Sequence, residues 1–103
     1  MPSDTMLFHT FLTNNIFYIQ CVIEADDKDK AEKVLSDYAA SATAAEDGEF
    51  GAYGRGCELE LMHESDGYYT TEDEDIMFYH DDEASDYEDE NGRAYLVKSG
   101  HNG

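Results

Sequence analysis

The sequence predicts an α+β fold in which an antiparallel sheet of about five strands, in the order ββαβββ, carries one helix on one face. Three observations indicate this class. Several short segments alternate apolar and polar residues, as half-buried strands do. One segment repeats its apolar residues at the helical period, and Gly or Asn residues mark turns between segments. A length of 103 residues suits one domain, residues 1–103, and 41% hydrophobic residues suffice for a core.

The first two strands are predicted to form a hairpin from residues 5–12 and 16–24, which are rich in β-branched and aromatic side chains. Thr13, Asn14 and Asn15 between them are turn formers. In a strand, every second side chain shares a face. We therefore expect a core face and a wet face in the second strand. The core face would hold Phe17, Ile19, Cys21 and Ile23, and the wet face Tyr18, Gln20 and Glu24.

A helix is predicted after the hairpin. Asp26 and Asp27 suit its N-cap and first turn, where carboxylates accept from free backbone amides. An apolar stripe follows at positions i, i+3, i+4, i+7 and i+8, which is the spacing of one helix face. The stripe consists of Ala31, Val34, Leu35, Tyr38 and Ala39. Residues 41–56 are small and contain four glycines, so we expect a Gly-rich loop there.

The next predicted strand covers residues 57–63, whose sequence CELELMH alternates. One face would hold Cys57, Leu59, Leu61 and His63, and the other Glu58, Glu60 and Met62. A turn is predicted at residues 65–67 and a further strand at about 75–80.

The end of the chain is predicted to hold one more turn and one more strand. Residues 81–92 are polar and turn-forming, and they close with Asn91-Gly92, a pair favoured in tight hairpin turns. Residues 93–99 should form the last strand, and residues 99–103 should be frayed.

The charge of the chain is extreme and localised. Twenty-five Asp and Glu stand against six Lys and Arg, a formal net charge of −19 with a pI near 4.1. Residues 46–92 alone carry −17, and residues 72–90 hold eleven carboxylates and no Lys or Arg. Solubility needs a net charge of only about 2 to 8 in magnitude. Because self-repulsion destabilises a compact state, we expect the excess to serve a function.

Several classes of function are disfavoured by the sequence. No catalytic or nucleotide-binding motif occurs, so we expect no enzymatic activity, no catalytic residue and no cofactor. Cys21, Cys57 and the four histidines lack zinc-site spacing, and placing Gly67 or Gly92 in a calcium-binding loop puts Met62 or Tyr87 at the first ligand position. We therefore expect no metal site. Without a leader or an apolar span, a cytoplasmic protein with reduced cysteines is expected.

Direct binding of nucleic acid is disfavoured, because it relies on Lys and Arg that neutralise phosphates. The inverse role is favoured. Acids on one face of a strand repeat about every 6.6 Å, and one DNA strand advances about 3.4 Å per phosphate. A rigid acidic sheet can therefore present its charges at a density comparable to that of DNA. Glu58 with Glu60, and Asp73 with Asp75, are such pairs.

In composition and charge layout, the chain resembles the small acidic nucleic-acid mimics of phages and mobile elements, namely anti-CRISPR and anti-restriction proteins. The resemblance is to this class and carries over no residue. It implies an inhibitor that occupies the DNA- or RNA-binding groove of a host-defence protein or ribonucleoprotein complex in the host cytoplasm. The partner would be a CRISPR effector or, alternatively, a restriction enzyme. Neither a membrane nor free nucleic acid is an expected partner.

Three alternatives to mimicry stay open from the sequence. The acids can form a solvated face without a partner, or reflect adaptation to high salt. Against salt adaptation stand eight Tyr, five Phe and four Met, more large apolar residues than such a chain should need. The protein can also be an acidic chaperone or antagonist of a basic protein.

The apolar residues within the acidic segment suggest how a mimic would work. We hypothesise that Ile76, Phe78 and the tyrosines anchor residues 72–90, so that the carboxylates project in a fixed array and little entropy is lost on binding. The predicted partner-binding acids are Glu58, Glu60, Glu64, Asp66, Glu72, Asp73, Glu74, Asp75, Asp81, Asp82, Glu83, Asp86, Glu88, Asp89 and Glu90. The predicted partner-binding tyrosines are Tyr68, Tyr69, Tyr79 and Tyr87.

Overall fold

A computed structural model describes residues 5–13, 17–45, 54–55, 59–65, 67–72, 77–79 and 85–101. The described residues begin with strand β1 (Met6–Thr13), strand β2 (Phe17–Ala25) and helix α1 (Lys28–Ala45). Six short strands and one long strand follow: β3 (Gly54–Arg55), β4 (Glu60–Leu61), β5 (His63–Ser65), β6 (Tyr68–Thr70), β7 (Met77–Phe78), β8 (Tyr87–Asp89) and β9 (Gly92–His101).

The strands form two antiparallel sheets. In the main sheet the order is β3-β1-β2-β9-β8, and β4 pairs with the same strand as β3, namely β1. In the small sheet the order is β5-β6-β7. The mixed α+β class, with an antiparallel sheet and one helix, is confirmed. The simple ββαβββ order is wrong, because the acid-rich part of the chain is divided into several short strands, three of which leave the main sheet.

The predicted hairpin is present, with pairs that run from Met6↔Ala25 to Thr13↔Tyr18. Ile19, Cys21 and Ile23 lie in a buried cluster with the helix, as expected. The opposite face is not simply wet, however. Val22, which lies on that face, is 0% exposed and belongs to a second buried cluster. The main sheet is therefore covered on both faces.

Helix α1 begins where the sequence predicted. Asp27 is its N-cap: the Asp27 Oδ1 atom accepts a hydrogen bond of 2.8 Å from the backbone amide of Lys30. The predicted stripe is confirmed, because all five of its residues pack in the helix-side cluster, Ala39 partly buried. The helix continues through Ala45 and β3 covers Gly54–Arg55, so the predicted loop over 41–56 is wrong at 54–55 and in its first five residues. Their sequence SATAA is rich in Ala, the best helix former.

The predicted strand over 57–63 is broken at Met62. The backbone amide of Met62 donates a 2.8 Å hydrogen bond to the carbonyl of Leu7, and its side chain is 5% exposed in the second cluster. Leu61 is 43% exposed and His63 is exposed, so the predicted assignment of faces is wrong for these three residues. The break lets β4 extend the main sheet while β5 starts the small one. Cys57 and Glu58 lie outside the described residues.

The small sheet confirms two further predictions in part. Ser65 pairs with Tyr68, and Gly67 between them is in a turn with φ 90°, whereas Asp66 lies outside the described residues. The strand predicted at about 75–80 is present as β7 over residues 77–78, and positions 75, 76 and 80 lie outside the described residues.

The final hairpin differs from the prediction at both ends. Residues 87–89, predicted as part of a turn-forming segment, form the edge strand β8. Asp89 pairs with Gly92, so the tight turn is present, with Glu90 and Asn91 at its centre. Strand β9 runs to His101, which pairs with Phe17, although fraying was expected from residue 99. The chain at this edge is thus more ordered than its polarity suggested, because β9 pairs with β2 along almost its whole length.

Gly92 allows this hairpin to form, and replacing it with Ala should destabilise the fold by about 3 kcal/mol. Gly92 has φ 155°, and a Cβ atom there would lie 2.0 Å from the backbone carbonyl oxygen of Glu24. Gly67→Ala is the matched control: its φ of 90° is also positive, but a Cβ meets nothing within 4 Å, so a loss of about 1 kcal/mol is expected. Urea unfolding of both variants measures the difference. Equal losses would contradict the close approach of Gly92 to β2.

Candidate functional site

The small sheet is anchored to the main sheet by an apolar cluster on the face opposite the helix. Leu7, Val22, Met62 and Tyr95 are its buried members. Tyr69, Phe78 and Val97 pack against them, and the rings of Phe78 and Tyr95 lie 5.1 Å apart between centroids. We call these seven residues the inter-sheet cluster. Phe78 therefore anchors the acidic half of the chain as hypothesised, whereas Ile76 lies outside the described residues.

The four predicted partner-binding tyrosines separate into two pairs. Tyr69 belongs to the inter-sheet cluster, and Tyr87 packs on the helix side with its ring centroid 6.2 Å from that of Tyr38. Burial raises the pKa of both Tyr69 and Tyr87 above the ordinary value. Tyr68 and Tyr79 instead stack on each other at 5.8 Å on the outer side of the small sheet. Only the second pair is turned away from both cores.

Three predicted acids lie on or beside the small sheet. Glu64 pairs in register with Tyr69, and both Glu64 and Glu72 are exposed. Glu60 is held more firmly, because its Oε2 atom accepts a 3.3 Å hydrogen bond from the backbone amide of Glu72. Its Oε1 atom lies 4.0 Å from Nδ1 of His9. The fold thus brings Glu60, at the start of β4, next to Glu72, which follows β6.

A second group of acids lines an open cleft of about 430 Å³, at the end of the main sheet where β2 leads into α1 and β8 turns into β9. Five carboxylates and one guanidinium line it. We call it the acidic cleft, and its charged residues are Glu24, Asp26, Glu88, Asp89, Glu90 and Arg93. The sequence prediction named the three acids of the β8–β9 hairpin but missed Glu24 and Asp26, which it used as a wet-face residue and a helix cap.

Hydrogen bonds fix the carboxylate of Glu24 in the acidic cleft. The hydroxyl of Tyr95 donates to Glu24 Oε1 at 3.0 Å, and the hydroxyl of Thr5 donates to Oε2 at 3.3 Å. Burial, followed by the hydrogen bond to Glu24, raises the pKa of Tyr95 to about 12, although the hydrogen bond to Arg93 acts against it. Arg93 Nε in turn donates to Glu88 Oε2 at 3.3 Å. The guanidinium of Arg93 thus pairs with Glu88, one of the five carboxylates that line the cleft.

Two further predicted partner-binding acids, like Glu60, also bind the backbone of the fold itself. Asp89 Oδ1 accepts from the amides of Asn91 at 2.7 Å and Gly92 at 3.2 Å, and its Oδ2 accepts from the Tyr87 hydroxyl at 3.0 Å. Asp86 Oδ2 accepts from the amide of Leu96 at 2.5 Å. Their negative charge therefore stabilises the β8–β9 hairpin. The remaining predicted acids, Glu58, Asp66, Asp73, Glu74, Asp75, Asp81, Asp82 and Glu83, lie outside the described residues.

His9 lies beneath the small sheet and has no hydrogen-bond partner on either ring nitrogen. In the β1–β2 pairing His9 lies opposite Val22. Gln20, which is on β2 with Val22, also has an Oε1 atom without a hydrogen-bond partner. Burial lowers the pKa of His9 below the ordinary 6.5, and the nearby Glu60 carboxylate opposes the shift. His9 is therefore kept neutral by the packing of the two sheets.

Within the part of the chain that the structure describes, no three His, Cys, Asp or Glu side chains are grouped so as to hold a metal ion. Over the same residues, no helix combines the length and the apolar character that crossing a membrane requires. A scan of protein-family models, a search of curated proteins and a search of solved structures each found no match to this chain. Functional inference therefore depends on the geometry and charge described above.

The neutral state of His9 should make folding stability depend on pH. Because the pKa of His9 is lower in the folded state, the unfolded chain binds more protons below about pH 6.5, and stability should fall as the pH falls. Between pH 7.5 and 5.5 the parent should lose more stability than His9→Gln, by up to about 1.4 kcal/mol per pH unit. Urea unfolding at both pH values measures this difference, with the exposed His63→Gln as control. Identical losses in the parent and His9→Gln would contradict the assignment.

Proposed function

We propose that this protein is an acidic mimic of nucleic acid that binds the DNA- or RNA-binding groove of a basic protein and blocks it. The observation that carries the proposal is the acidic cleft, which is lined by five carboxylates from two segments of the chain, 24–26 and 88–90, and by one guanidinium. By analogy with the class that the chain resembles, the partner is a host-defence protein or complex, either a CRISPR effector or a restriction enzyme.

The way in which the carboxylates are held supports mimicry over a disordered acidic tail. Glu24 is fixed by two hydroxyl groups, and Glu60 by a backbone amide. A flexible chain loses roughly 1 to 2 kcal/mol of conformational entropy for each backbone residue ordered on binding. Strands that are already paired do not incur that loss again. A folded acidic surface can therefore compete with a nucleic acid that is itself stiff.

The proposed mechanism is stoichiometric occupation without turnover. Arg and Lys side chains that grip phosphates would pair with the carboxylates of the acidic cleft, and Arg can do so with two parallel hydrogen bonds. The net charge of −19 would also steer the protein towards a positive groove. Since screening acts over about 8 Å at physiological ionic strength, both affinity and association rate should fall as salt is added.

Removing charge from the acidic cleft should weaken capture of the partner about tenfold or more, since charge-assisted hydrogen bonds contribute roughly 1 kcal/mol or more each. The test variant is Glu88→Gln with Glu90→Gln, two cleft residues with exposed side chains. The control, Asp29→Asn with Asp37→Asn, removes the same charge from exposed positions on α1. Tagged protein is used to capture partners from a host-cell lysate at about 50 and 500 mM salt, with and without competing DNA or RNA.

Mimicry predicts that one basic, nucleic-acid-binding partner is retained at low salt, released by salt and by nucleic acid, and lost with the cleft variant but not with the helix variant. A partner that competing nucleic acid does not release would contradict mimicry and favour an acidic chaperone. Equal capture by both variants would show that the acidic cleft is not the contact surface.

A further inference from the structure

We propose that the outer face of the small sheet is a docking surface for arginine side chains of a basic protein partner. The surface consists of His63, Tyr68, Met77 and Tyr79, and we call it the tyrosine patch. The inference deepens the proposed function and rests on it for the basic character of the partner. It adds a recognition element that charge alone does not supply, because it selects between arginine and lysine.

The strand register places these four residues on one face. Thr70 pairs with both His63 and Met77, so the three side chains form a row across the sheet. Tyr68 and Tyr79 each lie two residues from that row, on the same face because side chains alternate along a strand. The neighbouring row, which includes Tyr69 and Phe78, faces the inter-sheet cluster instead. The orientation of the tyrosine patch is therefore fixed by the packing of the opposite face.

The four residues of the tyrosine patch are at least partly open to solvent, although Thr70 between them is only 9% exposed. Tyr79 is 65% exposed, Met77 is 50% exposed and His63 is also exposed. Tyr68 is half-buried, and its ring lies 5.8 Å from that of Tyr79 at an interplanar angle of 51°. Large apolar side chains grouped in this way differ from the scattered exposed residues that are normal on monomers. Tyr and Met are also enriched at protein interfaces, where Tyr contributes a large contact area and loses few rotamers.

Charge complementarity identifies the occupant. Glu72 is exposed in the turn directly after β6, and the whole chain carries a formal net charge of −19. A positive group is therefore attracted to the patch and a phosphate is repelled. The planar guanidinium of Arg can stack on a Tyr ring and still donate hydrogen bonds to a carboxylate, whereas the compact Lys ammonium is more strongly hydrated. Exposed tyrosine rings on a strongly negative protein thus match arginine better than lysine.

The test compares two peptides, nona-arginine and nona-lysine, which carry the same charge. Titration of the full-length protein by calorimetry at about 50 mM salt should give tighter binding of nona-arginine. Tyr79→Ala should weaken nona-arginine binding about three- to fivefold and leave nona-lysine binding almost unchanged, because the lost contribution is the ring contact. Tyr79→Phe, which keeps the ring, should bind like the parent. Leu96→Ala removes a side chain of similar exposure on β9 and serves as the control.

Three results would overturn the inference: equal affinity for both peptides in the parent, an equal loss for both peptides in Tyr79→Ala, or Tyr79-dependent binding of a single-stranded oligonucleotide. Unfolding of the variant is not expected at so exposed a position, and Met77→Ala gives a second, independent removal. The outcomes for the two proposals are separable. If nucleic acid fails to release the captured partner while the arginine preference holds, mimicry fails and the patch stands. If Tyr79→Ala binds both peptides and the partner normally, the patch fails and mimicry stands.

Discussion

The packing of the small sheet on Leu7, Val22 and Tyr95 is the contact on which the arrangement of the acidic residues depends. The small sheet contains only three short strands, and such a unit is not stable in water without a face to pack on. Burying a side chain such as Val22 stabilises the packing of the two sheets by roughly 1.5 to 3 kcal/mol. Tyr95 links both acidic regions, since its ring contacts Phe78 and its hydroxyl holds Glu24.

Part of the acidic charge contributes to the fold instead of opposing it. Asp27 caps the helix, Asp89 organises the turn before β9, and Asp86 accepts from the amide of Leu96. Each of these carboxylates satisfies a backbone donor that would otherwise need water. Among the other described acids, Glu64, Glu88 and Glu90 lie in exposed positions where solvent screens their repulsion. A net charge of −19 is thus compatible with a folded domain because the two groups occupy different places.

The sequence was informative where the signal is local. The alternation of apolar and polar residues predicts the first hairpin, the capping residue predicts the start of α1, and the helical period predicts its apolar stripe. Each of these signals acts within a few residues. The small sheet could not be predicted, because the break at Met62 depends on contact with Leu7, more than fifty residues away. The burial of Val22 was not predicted for a related reason. It depends on the small sheet, which the residue pattern of β2 does not indicate. Strand β8 was not predicted, because a strand of three residues is too short to show an alternation of apolar and polar side chains.

Prediction of the candidate site was limited in the same way, because local signals are visible in the sequence and long-range contacts are not. The sequence offered acids and tyrosines as site residues but did not show which way their side chains face, since one step along a strand reverses the face. Tyr68 and Tyr69 are neighbours in sequence and lie on opposite sides of the small sheet. Glu24 joined the acidic cleft only because the pairing of β2, β9 and β8 brings it level with Arg93 and Glu88. Such groupings depend on long-range register, which the sequence does not show.

The central claim is that the carboxylates are ordered before any partner binds, and amide hydrogen exchange of the free protein in low-salt buffer tests it most directly. The account predicts slow exchange, well below the random-coil rate, for hydrogen-bonded amides of β6, β8 and β9, at about 10 mM salt where repulsion is least screened. Exchange at random-coil rates in β6 and β8, with protection confined to β1, β2 and α1, would contradict it. The acidic half would then be a flexible tail on a folded hairpin and helix.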